Sequence, residues 1–208
     1  ARYDVAQTTS ENANMWKHVD SLSAAAANSP SVRKTIRERA RYEVANNSIA
    51  DGIVDTIVAD LIGPWVTIKA GTGNGSVSKN IETSFNDWAV KTRLWQKLHT
   101  IIRAKKVDGE GVALLTTNKK LNHSVKLDVL PFEGDMIESW FVSPAENEID
   151  GIRFDENKNP IEYRVLEHHP GDYRMGLRSS GRGKWISAEY IIHYFSDIRP
   201  GQVRGVSE

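Results

Sequence analysis

The chain contains no cysteine, which excludes disulfide staples, thiolate metal sites and thiol nucleophiles, and suits a protein made in a reducing cytoplasm. It has no excess of either charge: 27 Lys and Arg stand against 27 Asp and Glu. The broad basic field of a tight nucleic-acid or membrane-surface binder is therefore missing, and any such patch must be local. A long apolar run is missing too. The greasiest stretch, Ile49 to Ile68, is broken by Asp51, Asp55, Asp60 and Gly63-Pro64, so no bilayer span and a soluble chain are expected. The N-terminal Ala1-Arg2-Tyr3-Asp4 carries no export signal. What is present suffices for a core: 208 residues, 39% of them hydrophobic, fit one large domain or two small ones.

Residues 1–28 are polar and rich in Ala, Ser and Asn, and read as an arm ordered by its neighbours, with Trp16 as its one large anchor. Ser29-Pro30 then opens a helix with Val32, Ile36, Ala40 and Val44 as a narrow apolar stripe among Arg33, Lys34, Arg37, Arg39 and Arg41. Asn46-Asn47 ends it. Ser48 with Asp51 forms a capping-box pattern for a second helix bearing Ile53, Val54, Ile57, Val58, Leu61 and Ile62, which Gly63-Pro64 terminates. A short strand at Trp65–Lys69 and a glycine-rich hairpin turn are expected next, and a third helix from about Phe85 to Val107, opened by Ser84 and Asp87. After Asp108-Gly109 the apolar period falls from about 3.6 residues to 2. Strands are expected at Val112–Thr117, Val125–Leu130, Ile149–Phe154, Ile161–Leu166, Lys184–Ser187 and Tyr190–Phe195. Helices first and antiparallel strands afterwards make an α+β fold, in three parts: an arm (1–28), a helical region with a short β-hairpin (29–108) and a β-rich region (109–208).

Candidate chemistry is sparse. Gly71 to Ser76 lacks the Gly-Lys-Ser/Thr of a phosphate-binding loop and the spaced third glycine of a dinucleotide loop. No histidine pair has metal-ligand spacing; His168-His169 precede a turn, and His193 lies in an apolar strand where a hydrogen-bonded core histidine is expected. No serine sits in a nucleophile elbow. Acidic pairs such as Asp108 with Glu110, or Glu146 with Glu148, fall at turns. The run from Arg33 to Arg41 could contact phosphates, but the interleaved Glu38 and Glu43 favour a solvated or salt-bridged outer face. No cofactor, metal or catalytic residue is expected. The chain stops at Gly205-Val206-Ser207-Glu208 just after a Pro/Gly turn, where a helix is expected to follow in a longer protein.

The run from Ser143 through Asn147, Asp150 and Gly151 to Glu156, with Asn159-Pro160-Ile161-Glu162-Tyr163 and His169-Pro170-Gly171-Asp172, resembles the lambda-type family of tailed-phage portal proteins. The stretch Ile186-Ser187-Ala188-Glu189-Tyr190-Ile191-Ile192-His193-Tyr194-Phe195, followed by Arg199-Pro200-Gly201-Gln202-Val203-Arg204-Gly205-Val206, resembles the same family, with Ser187 and Ser207 where it often has proline. Upstream, Arg37, Arg41, Asn46 and Asn47 look like its "RxRxxxRNN" helix, and Asp108-Gly109-Glu110 like its "DGE". The resemblance thus runs from about residue 30 to the last residue, and marks Arg37, Arg41, Asn46, Asp108, Gly109, Glu110, Gly151, Pro160, His193, Arg199, Pro200, Gly201, Gln202, Arg204 and Gly205 as structural or assembly positions.

That resemblance implies a ring of identical subunits, commonly twelve, at one vertex of the capsid, through which double-stranded DNA is packaged and ejected without sequence specificity. It implies docking to a large terminase subunit, the capsid and head-tail connectors, production in the bacterial host cytoplasm, no catalysis and no membrane. Family chains are about twice this length, so a truncated chain is expected. By analogy the Phe85–Val107 helix would belong to stem or wing and the later strands to clip and wing, with Arg33, Lys34, Arg37, Arg39 and Arg41 facing a neighbouring subunit or DNA. Arg199 and Arg204 would flank a tight turn at the start of a next helix, with Gln202 bonding backbone. The alternative from another class is a phage-derived, metal-dependent nucleic-acid hydrolase acting through Asp108 and Glu110.

Overall fold

The computed structural model describes residues 8–17, 20–64, 67–139, 147–172 and 183–208. A short helix, α1 (Ala24–Ala27), is capped by Ser23, whose hydroxyl accepts the Ala26 N–H at 3.2 Å. The arm is anchored here, by buried Ala24 and Asn28, and not by Trp16, which stays 40% exposed. Helix α2 (Pro30–Asn46) begins on proline, whose missing N–H costs nothing in a first turn. Asn47 both ends α2 and caps α3 (Ser48–Ile62), its side chain accepting the Ile49 N–H at 3.0 Å, one residue ahead of the expected cap at Ser48. Gly63, at φ 66°, stops α3 where the Gly-Pro pair places the end.

The next segment departs from the sequence expectation. Of the expected Trp65–Lys69 strand, Trp65 and Val66 lie outside the described residues and 67–69 form no strand; the glycine-rich run leads straight into α4 (Gly75–Lys91), with the Asn74 side chain accepting the N–H groups of Ser76 and Val77. The Asn-Gly-Ser triplet is thus a helix start, and Ser84 lies inside the helix it was expected to cap. The expected single helix from Phe85 to Val107 is also broken. Thr92 closes α4, its hydroxyl donating back to the carbonyl of Trp88, Arg93 turns left-handed at φ 56°, and α5 (Leu94–Asp108) follows. The bend lets Ala89 of α4 and Leu94 and Ile101 of α5 enter one core, which a straight rod could not do.

Among the described residues seven strands follow, all paired antiparallel: β1 (Glu110–Thr117), β2 (Leu127–Phe132), β3 (Glu148–Ile149), β4 (Ile152–Phe154), β5 (Pro160–Val165), β6 (Lys184–Ser187) and β7 (Ile191–Phe195). They form two sheets, ordered β2-β1-β7 and β3-β4-β5-β6. With five helices ahead of them, the fold is α+β. The one strand expected at Ile149–Phe154 is a two-armed hairpin. Asp150 (φ 54°) and Gly151 (φ 77°) both take the left-handed conformation that a type I′ turn demands, which Asp-Gly supplies.

Strand β1 lies between two cores. Its Ala113 and Leu115 pack with α4 and α5 against Val129, while Val112 packs with Ile137, Ile152, Phe154 and Tyr163 of the second sheet and its approaches. Among the described residues no helix is long and apolar enough to cross a membrane.

Candidate functional site

The first residue of β1, Glu110, is fully buried, and its carboxylate is the centre of the most extensive polar cluster described. Arg204 reaches it twice, through Nε at 2.9 Å and Nη2 at 2.5 Å; Arg37 donates from Nη2 at 2.9 Å; the backbone N–H of Gly205 adds a bond at 3.2 Å. His193 Nε2 lies 3.0 Å away. Since a carboxylate only accepts, Nε2 carries a proton, and Nδ1 lies 3.4 Å from the Tyr163 hydroxyl. Burial by itself would drive the Glu110 carboxyl up; the charge and hydrogen bonds of Arg204, with those of His193, hold it well below the usual carboxylate range. Burial pushes the neighbouring Tyr163 phenol up to about 12.

Around this centre the charges continue in pairs. Arg37 also donates to the Asp108 carbonyl at 3.1 Å and to Asp135 at 2.6 Å. Arg41 grips both Asp108 oxygens, at 2.7 and 2.9 Å, and reaches Asp135 at 2.9 Å. Arg33 meets Asp150 at 2.7 Å and the Asn28 carbonyl at 2.9 Å. Arg204 also bonds the carbonyls of Gly134, at 2.8 Å, and Asp150, at 3.2 Å. Four guanidinium groups (33, 37, 41, 204) therefore face four carboxylates (108, 110, 135, 150). Such neutrality is what permits ions to be this dry, because an unmatched buried charge costs several kcal/mol (roughly 3–5). Burial works against ionised Asp135, but Arg37 and then Arg41 keep it below the ordinary carboxylate range.

The hub corrects the expectation for the basic run. The buried stripe of α2 is made of Arg33 (4% exposed) and Arg37 (3%), continued by half-buried Arg41, while Val32 and Ile36 are 41% and 36% exposed. Lys34 and Arg39 alone of the five stay exposed, Lys34 beside Glu38 at 3.9 Å. Helical spacing put the arginines four residues apart on one face, as it did the apolar residues. Spacing could not say which stripe faces inward; the acidic wall at 108, 110, 135 and 150 decides it.

Most family-motif positions converge here: Arg37, Arg41, Asp108, Glu110, His193 and Arg204 by side chain, and Gly109, Gly151 and Gly205 by backbone. Gly109 (φ 89°) and Gly205 bring two chain segments together so closely that a β-carbon on Gly205 would stand 2.0 Å from the Gly109 carbonyl oxygen. The others lie outside the hub. Asn46 bonds back to the Tyr42 carbonyl at 2.7 Å and is exposed. Pro160 opens β5, where a missing N–H is tolerated. Pro200 and Gly201 (φ 81°) form a turn closed by the Gln202 N–H on the Arg199 carbonyl at 3.1 Å. Gln202 bonds the carbonyls of Ser196 and Arg204, and Arg199 that of Leu22, at 3.0 Å. Arg204 sits in the core, 2% exposed, and not at the start of a helix. Sequence reasoning missed Asp135 and Asn28; Asp135, in the single helical turn Gly134–Met136, carries no motif that could have marked it. Ser143 to Glu146 lie outside the described residues.

The acidic pair on which a hydrolase would depend is occupied, Asp108 by Arg41 and Glu110 by Arg37 and Arg204. Glu133, Asp135 and His169 come close enough together to suggest a cation site. However, His169 Nδ1 accepts the Gly171 N–H at 3.0 Å, so the neutral ring carries its proton on Nε2, the nitrogen facing the acids. Arg41 already bridges both carboxylates at 2.9 Å. The group is a charge-paired cluster.

The fold thus joins a helical half to two antiparallel sheets through buried ionic groups that are matched to one another. The model for phage portal proteins of the lambda family matches residues 10–208. The chain belongs to that family, and the hub gathers most of the positions expected from the sequence resemblance. No curated protein matches the sequence.

Proposed function

We propose that this chain is part of a portal subunit that closes with copies of itself into a ring at one capsid vertex, the channel through which double-stranded DNA is packaged and later ejected. The observation that carries this reading is the family match across residues 10–208. The hub supports it: side chains that could do chemistry at Asp108, Glu110 and His193 are engaged in holding the fold. Function here is binding and geometry, with the energy for DNA movement supplied by a docked terminase motor. Helices α2 to α5 belong to wing or stem, and the two sheets to clip and adjoining wing. Channel passage requires weak grip, because each neutralised phosphate releases counterions and adds affinity that would stall motion. The balance of 27 basic and 27 acidic residues fits that requirement, as does the burial of Arg33 and Arg37 away from any phosphate. Contacts in such a ring are heterologous and repeat by rotation. Lys34 and Arg39 are the members of the basic run available for a neighbour or for DNA.

Negative-stain imaging of the full-length protein tests this reading. Ring-shaped particles with a central opening are expected. Single copies only, persisting at high protein concentration, would overturn it.

A further inference from the structure

The N-terminal segment Leu22–Asn28 and the C-terminal segment Ser196–Glu208 are far apart in sequence and touch directly. Asn28 Nδ2 donates to the carbonyls of Arg204, at 3.0 Å, and Gly205, at 3.3 Å; Arg199 donates to the carbonyl of Leu22 at 3.0 Å. The two segments are held very differently. The C-terminal one has strong fixtures of its own: Arg204 on Glu110 at 2.9 and 2.5 Å, the Gly205 N–H on Glu110, and Glu208 between Lys105, Lys106 and the Ser196 hydroxyl. Beyond these the N-terminal segment has the Arg33 guanidinium on its Asn28 carbonyl, at 2.9 Å, and little apolar burial. Ala24 is its only buried apolar side chain, Leu22 is 47% exposed, and four residues of helix cannot support themselves in water.

We propose that Ser196–Glu208 is a charge-held strap on which Leu22–Asn28 folds, so that opening the strap releases the arm as well, while losing the arm leaves the strap in place. The dependence runs one way because residues 22–27 and the Asn28 amide meet the rest of the fold through the strap, at the carbonyls of Arg204 and Gly205 and the Arg199 side chain, while the Asn28 carbonyl stays tied to Arg33 of α2. The strap's own fixtures lie on β1, on α5 and on the turns at Gly134 and Asp150, which the arm does not contribute to. The apolar burial that opposes the opening is modest: Ile198 is 67% exposed, while Val203 and Val206 are half-buried and Val203 packs on a core. The strap and arm thus form a unit that can open below the cost of global unfolding.

Hydrogen exchange read by mass spectrometry on the purified chain tests the coupling. Gly205→Ala drives a β-carbon into the Gly109 carbonyl and lifts the strap; Glu208→Gln weakens its outer end without touching the core, and serves if the first variant folds poorly. In either, amides of both 198–208 and 24–28 should exchange faster, by about tenfold or more, with β1 and β5 unchanged. Asn28→Ala should speed exchange at 24–28 alone. Faster exchange of the strap with an unmoved arm, equal acceleration throughout the chain, or release of the strap by Asn28→Ala would each overturn the proposal.

Discussion

Glu110 has no water to replace a lost partner, so the consequences of changing the hub follow from burial. Arg204→Met removes the guanidinium that neutralises it and leaves Arg37 to share the carboxylate with His193; a loss of roughly 3–5 kcal/mol is expected in urea unfolding. Paired with Glu110→Gln, the double variant should lose less than the sum of the singles, by about 1–3 kcal/mol, since both remove one shared interaction. Additivity would show that the two residues act independently. The hub also fixes an acid limb. Glu110 and Asp135 both have folded values below their ordinary 4.5 and 3.8, and a carboxyl so depressed stabilises the fold above its unfolded value and loses that contribution as pH falls toward the folded one. Glu208, drawn down to about 2 by Lys105, Lys106 and Ser196 against the effect of burial, adds to the same limb. Stability should therefore decline from about pH 4.5 downward, and Glu110→Gln, less stable at neutral pH, should show a flatter decline over that range. An unchanged acid limb in that variant would place the proton uptake elsewhere.

At the scale of elements, the break between α4 and α5 makes a prediction of opposite sign to that of a continuous helix. Arg93 sits at φ 56°, a conformation that costs a residue with a β-carbon about 1–2 kcal/mol and glycine almost nothing. Arg93→Gly should therefore be neutral or stabilising by up to about 1 kcal/mol in thermal unfolding, whereas inside a helix it would cost about that much. Gly151→Ala should destabilise strongly, because its β-carbon would lie 2.1 Å from the Glu138 carbonyl oxygen at φ 77°. These two positions also show what was legible in the sequence. Strand periodicity and turn residues located nearly every strand, and the Asp-Gly of the type I′ turn was readable but was absorbed into one strand because Ile149 to Phe154 is apolar at both ends. The α4–α5 break was not readable: Thr92-Arg93 carries no glycine or proline, and the left-handed turn exists only because Ala89 and Leu94 share a core. For helix α2 the sequence pattern places the element but turns the wrong face inward, since hydropathy ranks Val32 and Ile36 above Arg33 and Arg37 and ignores the acids across the fold. Motif resemblance pointed to the hub residues without saying that they touch.

For the whole molecule, the hub ties the helical half to both sheets and to the segment after β7: α2 supplies Arg33, Arg37 and Arg41, the α5–β1 junction Asp108 and Glu110, the turn after β2 Asp135, the β3–β4 turn Asp150, and the last residues Arg204. Apart from the strap and the arm, a chain built this way should move as one body, which is what the proposed ring would ask of its subunit. The absence of net charge, which speaks against tight and static nucleic-acid binding, is compatible with a wall that DNA slides along. Mass measurement of the full-length protein by native mass spectrometry tests the ring most directly. A single dominant assembly at an integer multiple of the subunit mass, near twelve, is expected; a protein that remains one subunit at every concentration would contradict it.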